Sequence, residues 1–213
     1  MTDLDLYCER LVSGMAGEPI NLFSNVSFFL AFGGIFSLVQ GRKISLEFKV
    51  LVGLIVAIGA GSSLFHTFAT RGSQLLDVIP IFLFQVGYLW LYFGRVVQLN
   101  MSENLGLIGI FLASSYLMQN LSHVLNGSLS YLPGLIFLTG LGIYHDQQQK
   151  REHSILLLAT GVFIIALFFR TIDLVICPYF APGTHFLWHL LNGWLLYLLA
   201  RALIVNEGVG CRV

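Results

Sequence analysis

Three reactive polar side chains, Ser62, His66 and Asp77, lie within the largely apolar stretch from 61 to 80. Ser62 and His66 are four residues apart, so a helix places them one turn apart on the same face. Asp77 follows a short polar break at 70 to 73, and a helix returning from that break would bring it to the level of His66. A serine, a histidine and an aspartate at one level are typical of a site that binds a metal or transfers protons.

Two further histidines near the other end of the chain repeat the four-residue spacing. His185 and His189 would lie on one helical face, and His66 from another helix would add a third imidazole. Three nitrogen ligands leave one coordination position open for water, as a catalytic zinc requires. A single intramembrane histidine is more often a hydrogen-bonded packing residue, but three at one level favour the functional interpretation.

The composition indicates a membrane protein. Of the 213 residues, 56% are hydrophobic and only 10% are charged, whereas soluble domains carry roughly a quarter charged residues. The formal net charge is zero, which gives no reason to expect a nucleic acid, and nothing implies a protein partner. We therefore predict one all-α domain over residues 1–213.

Seven apolar runs are long enough to cross a bilayer, which takes about 20 residues. The predicted fold is a bundle of seven transmembrane helices, with spans at 19–40, 49–69, 74–95, 104–122, 128–146, 154–177 and 184–206. The fourth and fifth runs are the weakest, because polar residues and Pro133 interrupt them.

The basic residues predict the orientation. Eight of them lie after spans one, three and five or in the tail, at Arg42, Lys43, Lys49, Arg95, Lys150, Arg151, Arg201 and Arg212. The opposite face has only Arg10 and Arg71, with Arg170 set aside because it lies within span six. The positive-inside rule then places the N-terminus outside and the C-terminus in the cytoplasm. The membrane would be a bacterial inner membrane, or a eukaryotic endomembrane or plasma membrane.

This orientation brings the candidate site residues to one depth. Ser62 and His66 lie near the outer end of span two, and Asp77 lies near the outer start of span three. His185 and His189 begin span seven on the same outer side. Polar residues that cluster at one end favour a site there over a transport pathway, which needs them throughout the membrane depth.

Two other residue pairs are predicted from position. Cys8 and Cys177 would both face an oxidising compartment and could pair, although two unrelated buried cysteines are the alternative. Arg170 and Asp173 are three apart in span six, so we expect them to form a structural pair on one helix face. A second interpretation is that they grip a polar substrate headgroup.

Three sequence blocks, in this order and on seven spans, resemble the alkaline ceramidase family. They are YCERLVSGMAGEPINLFSN from Tyr7, GSSLFHTFATRGSQLLDVIP from Gly61, and HFLWH from His185. The family belongs to a wider group of seven-span membrane hydrolases that includes the adiponectin receptors. With the span pattern, the resemblance covers nearly the whole chain.

The resemblance implies roles for individual residues. It implies zinc ligands at His66, His185 and His189, with Ser62 and Asp77 around the metal-bound water. It also implies a disulfide between Cys8 and Cys177.

The resemblance further implies a calcium site, which the chain matches in part. Glu9 and Glu18 fall on its acidic positions and Tyr7 on an aromatic one. Leu6 and Leu11 stand where an aspartate and an asparagine are expected.

The function expected from these features is zinc-dependent hydrolysis of a lipid amide within the membrane. The resemblance implies a ceramide-like N-acyl sphingoid lipid, cleaved to a fatty acid and a sphingoid base. A seven-span lipid-binding receptor of the same group, or a hydrolase acting on another lipid amide or ester, is the alternative.

Overall fold

The computed structural model describes residues 4–10, 17–121 and 124–207, and these are helical with short connections and no strand. The helices are α1 (Pro19–Ser24), α2 (Val26–Val39), α3 (Leu46–Phe68), α4 (Arg71–Tyr92), α5 (Met101–Gln119), α6 (Leu132–Gln147), α7 (Ile155–Ile176) and α8 (His185–Asn206). A π-helical turn over Phe93–Val97 continues α4, and a 3₁₀ segment over Val124–Tyr131 precedes α6. The all-helical prediction is confirmed.

Within the described residues, six helical segments are long and apolar enough to cross a membrane. They are Pro19–Val39, Leu46–Phe68, Arg71–Val97, Val124–Gln147, Ile155–Ile176 and His185–Asn206. This agrees with a multi-pass membrane protein. The predicted span at 104–122 corresponds to α5, which is not among the six, so the seventh crossing and the orientation of the termini stay predictions.

Local sequence sets where the helices begin at both ends of the bundle. The Thr70 side chain accepts from the backbone N–H of Ser73, and the Ser73 hydroxyl in turn caps Thr70, which starts α4 immediately after α3 ends. Asn100 and Glu103 form the same reciprocal cap at the start of α5. The turn between α3 and α4 is thus short, and it holds Ser62 and Asp77 at the same end of the bundle.

The helix predicted at 128–146 begins later in the structure, at Leu132. Leu125, Asn126 and Gly127 have positive φ angles, so the chain turns before α6 rather than entering it directly. Pro133 then lies in the first turn of α6, where its missing N–H leaves no intrahelical hydrogen bond unmade.

The core lies around α8, the most buried of the candidate spans. Helix α8 packs against α2 on one side and α7 on the other, while α3 packs along α4. The α3 and α4 backbones approach closely at Gly61, where a Cβ atom would clash with the carbonyl oxygen of Leu76. Only glycine permits this contact, which sets Ser62 opposite Asp77.

Candidate active site

Three buried histidines converge at one end of the bundle. His66 lies in the last turn of α3, and His185 and His189 lie in the first two turns of α8, each at most 2% exposed. One nitrogen from each ring lies within 4.8 Å of the other two, and the Nε2 atoms of His66 and His189 are 3.1 Å apart. Nitrogens bound to one tetrahedral zinc are about 3.3 Å apart, since each Zn–N bond is about 2.0 to 2.1 Å.

Neighbouring side chains fix the orientation of two of these rings. The Glu18 carboxylate accepts from Nδ1 of His66 at 2.5 Å, and Ser24 Oγ lies 2.7 Å from Nδ1 of His189. In both rings the Nε2 atom is thereby turned toward the shared centre. Hydrogen bonds of this kind to the second nitrogen are typical of histidines that bind metals.

His185 is held by stacking rather than by a hydrogen bond. Its ring stacks on Tyr7 with 3.6 Å between centroids, and its Nδ1 atom is buried without a partner among the described residues. A buried imidazole nitrogen without a partner costs free energy unless it binds a ligand. The three rings therefore fit a metal ion that prefers nitrogen ligands.

Glu18 is itself held by two other side chains. Its Oε1 atom accepts from Nε of Arg10 at 2.5 Å, and Asn21 donates to its Oε2 atom at 3.1 Å. Arg10 also donates to the backbone carbonyl of His66 at 3.0 Å. Burial would raise the pKa of Glu18, but the hydrogen bonds from His66, Arg10 and Asn21 hold it below its ordinary value.

The residues of the expected calcium site have protein partners in the structure. Both oxygens of Glu9 accept backbone hydrogen bonds at the start of α1, from Ile20 at 2.6 Å and Asn21 at 2.8 Å. Glu18 contacts His66, Arg10 and Asn21, and Tyr7 stacks on His185. Leu11 lies outside the described residues. Calcium binding stays a prediction.

Asp77 and Ser62 lie beside the histidine cluster. Ser62 is 2% exposed on α3, and its hydroxyl faces the Asp77 carboxyl across the close contact between α3 and α4. Asp77 lines the same cleft as His185 and His189, and it is not among the clustered metal-binding atoms. The structure thus brings together all five residues predicted for the site, while their roles stay predictions.

Arg170 and Asp173 do not pair, so the predicted contact between them is wrong. Asp173 is fully buried and accepts backbone hydrogen bonds from Cys8, Thr184 and His185, at 3.0, 2.7 and 2.9 Å. The N–H groups of Thr184 and His185 lie at the start of α8, and that of Cys8 lies in the N-terminal segment. Asp173 therefore holds both segments together and fixes the backbone of His185. Arg170 instead donates to the hydroxyl of Tyr7 at 3.0 Å.

Burial keeps the Tyr7 hydroxyl in its neutral form. It raises the pKa of this phenol to about 12, although the positive charge of Arg170 opposes the shift. Tyr7 therefore touches the site on two sides, because its ring covers His185 and its hydroxyl accepts from Arg170.

The structure places Cys8 and Cys177 at disulfide distance, with 5.4 Å between their Cα atoms. The link joins the N-terminal segment to the end of α7. Because Tyr7, Glu9 and Arg10 flank Cys8, it also holds the residues that contact His66 and His185 near the site.

A polar cleft and an apolar cavity adjoin at the histidine cluster. The cleft is lined by Asp77, Arg170, His185 and His189 among others. The cavity lies between the helices and is lined mainly by apolar side chains. Ile81, Tyr131 and Trp188 line both spaces, so the two are neighbours in the bundle.

Sequence reasoning missed the residues that orient the site. No motif in the sequence marks Ser24, and the family resemblance assigns Glu18 to calcium. Arg10 was counted only as a charge. No local spacing could have revealed these contacts, because Glu18 and His66 are 48 residues apart and Ser24 and His189 are 165 apart.

A family model described as Ceramidase matches residues 4–207, which is nearly the whole chain. No curated protein matches the chain significantly.

Proposed function

The chain belongs to the ceramidase family, and from this we propose that it is a zinc-dependent hydrolase of lipid amides within the membrane. Family membership implies a hydrolase and a lipid substrate. The proposal adds the metal, the bond cleaved and the residues that act. The observation that carries it is the buried cluster of His66, His185 and His189 beside Asp77.

The three imidazoles would hold the zinc, since one nitrogen of each ring converges on a single position. A zinc ion bound there would supply a Lewis acid, which polarises a carbonyl and lowers the pKa of bound water to about 7. Glu18 and Ser24 keep the His66 and His189 rings turned toward this position.

Asp77 is proposed as the general base and acid. Its carboxylate faces the cleft without being among the clustered ligand atoms, so it can accept a proton from the attacking water. It would then pass this proton to the nitrogen of the leaving amine, which cannot depart as an anion. Ser62, beside Asp77, would donate a hydrogen bond to the oxyanion that develops on the carbonyl oxygen.

The adjoining cavity supports a lipid amide as the substrate class. An acyl chain would lie in the apolar cavity between the helices while the amide reaches the cleft. Ceramide, an N-acyl sphingoid lipid, fits this division and is the substrate that the family suggests. The products would be a fatty acid and a sphingoid base.

The Asp77→Asn variant tests this mechanism. Asparagine keeps the size of aspartate but cannot accept the proton, so we expect bound zinc to stay and ceramide hydrolysis to fall on the order of a hundredfold to ten-thousandfold. Elemental analysis and fatty-acid release from ceramide measure the two quantities. Ser62→Ala should lose less activity.

Asp146→Asn is the matched control, because Asp146 is an exposed acid that contacts His153 at 2.7 Å at the other end of the bundle. It should keep both zinc and activity. Parental hydrolysis by Asp77→Asn would refute the proposed role of Asp77, and loss of its zinc would show that Asp77 binds the metal itself. A parent protein that binds lipids but hydrolyses none would favour the receptor alternative.

A further inference from the structure

We propose that Arg170 binds an anionic group on the headgroup side of the substrate, so that the preferred lipid amide is negatively charged. This inference rests on the proposed function and narrows its substrate class to N-acyl lipids with an anionic group on the amine side, with neutral ceramide as an accepted but more weakly bound substrate. It comes from a guanidinium that lines the cleft beside the histidines and forms no ion pair within the described part of the chain.

The acid closest to Arg170 in sequence is not available as its partner. Asp173, three residues further along α7, is occupied by the backbone N–H groups of Cys8, Thr184 and His185. Asp77 lines the same cleft and its charge acts on Arg170 at a distance, but the two form no ion pair. A charged group at membrane depth is costly unless a partner compensates it, and such groups usually serve function.

Aromatic rings hold the guanidinium in place. Its central carbon lies 5.6 Å from the ring centre of Tyr7, 5.4 Å from that of Tyr131 and 5.3 Å from that of Trp188. Cation–π contacts at these distances are favourable and leave the N–H groups free. The rings therefore fix the position of Arg170 without neutralising its charge.

One edge of the guanidinium donates a hydrogen bond, and the donors of the other edge have no partner among the described residues. Nη1 donates to the Tyr7 hydroxyl at 3.0 Å, whereas Nε is buried without a partner and Nη2 makes no hydrogen bond to any described residue. The Nε and Nη2 donors form the planar fork that binds two oxygens of a carboxylate, phosphate or sulfonate. A buried N–H without a partner costs free energy, which such an oxyanion would recover.

The position of Arg170 assigns the anion to the headgroup rather than to the acyl chain. Arg170 lines the polar cleft with Asp77 and His185 but does not line the apolar cavity. If the acyl chain lies in the cavity and the amide at the histidines, the amine side of the substrate is left in the cleft. The anionic group would be carried on that side, next to the scissile amide.

Two lipid amides that differ in one group test the inference. N-Oleoylglycine has a carboxylate where N-oleoylethanolamine has a hydroxyl, and their acyl chains are the same. We expect the purified full-length protein to bind the glycine amide at least about tenfold more tightly, measured by native mass spectrometry with both lipids in competition. In Arg170→Gln the ratio should fall to about one, and in Arg170→Lys it should be intermediate because the charge stays and the fork is lost.

Arg201→Gln is the matched control, since Arg201 pairs with Glu152 away from the cleft, and it should keep the parental ratio. Equal binding of the two amides by the parent, or a parental ratio in Arg170→Gln, would refute the inference. If Arg170→Gln does not fold, the inference is tested by the binding ratio of the two amides in the parent protein and in Arg170→Lys. Free oleate that binds with the same dependence on Arg170 would assign the anion to the fatty-acid product and refute the headgroup assignment.

Hydrolysis is scored separately, as oleate released from either amide. Release from both amides with no dependence of binding on Arg170 would refute this inference and leave the proposed function standing. Binding that depends on Arg170 with no hydrolysis of either amide or of ceramide would refute the proposed function and support this inference.

Discussion

Glu18 connects the metal candidates to the N-terminal segment. One carboxylate oxygen contacts Nδ1 of His66, and the other accepts from the buried guanidinium of Arg10. A carboxylate at Nδ1 fixes the ring orientation and makes Nε2 a better electron donor to a metal. The residue that the family resemblance assigns to calcium is thus placed to support the proposed zinc site.

A Glu18→Gln substitution tests this supporting role. Glutamine keeps the side-chain size but loses the negative charge that favours the correct orientation of His66, so zinc affinity should fall about 10- to 100-fold. Competition with a zinc chelator measures this affinity in the purified protein. Glu47→Gln is the control, because Glu47 is exposed and pairs with Arg95 at the other end of the bundle. Equal zinc affinity in Glu18→Gln and the parent would contradict the role assigned to Glu18.

At the residue scale, the regular spacing of the histidines predicted their cluster. It could not predict contacts between residues that are far apart in the sequence. The i, i+4 spacing of His185 and His189 fixes a common helix face, so their convergence could be predicted once the orientation placed His66 at the same depth. The i, i+3 spacing of Arg170 and Asp173 suggested a pair in the same way. That prediction failed because three backbone N–H groups compete for Asp173.

At the element scale, hydropathy located the long apolar segments well and their ends less well. Backbone polar groups must be satisfied within a span, so an apolar run at membrane depth is helical whatever it packs against. The turn at Leu125 to Gly127 and the π-helical turn after Tyr92 depend on tertiary contacts, which hydropathy does not contain. The weakest predicted runs, the fourth and fifth, are the ones that depart most from the prediction.

Helix α5 is the element whose crossing is undecided, and cysteine labelling can settle it. Cysteines can be introduced singly at two exposed positions, Lys43 in the predicted loop after span one and Asn120 directly after α5, at the far end of the predicted fourth span. We expect an impermeant reagent to label Lys43→Cys only from the cytoplasmic side and Asn120→Cys only from the outer side. This follows from the positive-inside distribution and seven crossings.

The other labelling patterns have distinct meanings. Labelling of both positions from the cytoplasmic side would show that α5 does not cross. Exchange of the two sides would show that the orientation is inverted, and it would move the candidate site to the cytoplasmic face. Labelling of a permeabilised sample is the control that both cysteines are reactive.

At the scale of the whole molecule, polar groups gather at the two ends of the bundle. The histidines, Asp77 and Arg170 lie at one end, while the ion pairs of Arg95 and Arg201 lie at the other. The helices between them are apolar enough to span a membrane. This distribution suits a reaction site at one membrane face, with the acyl chain held in the cavity between the helices.

The central claim is that His66, His185 and His189 hold a catalytic zinc, and elemental analysis of the purified protein tests it most directly. We expect about one zinc per chain in the parent and its loss when His189 is replaced by alanine, because two imidazoles hold zinc far less well than three. His153→Ala is the matched control, since this exposed histidine contacts Asp146 far from the cluster, and it should keep the parental zinc content. A full complement of zinc in His189→Ala, or none in a parent protein purified with zinc present, would contradict the account.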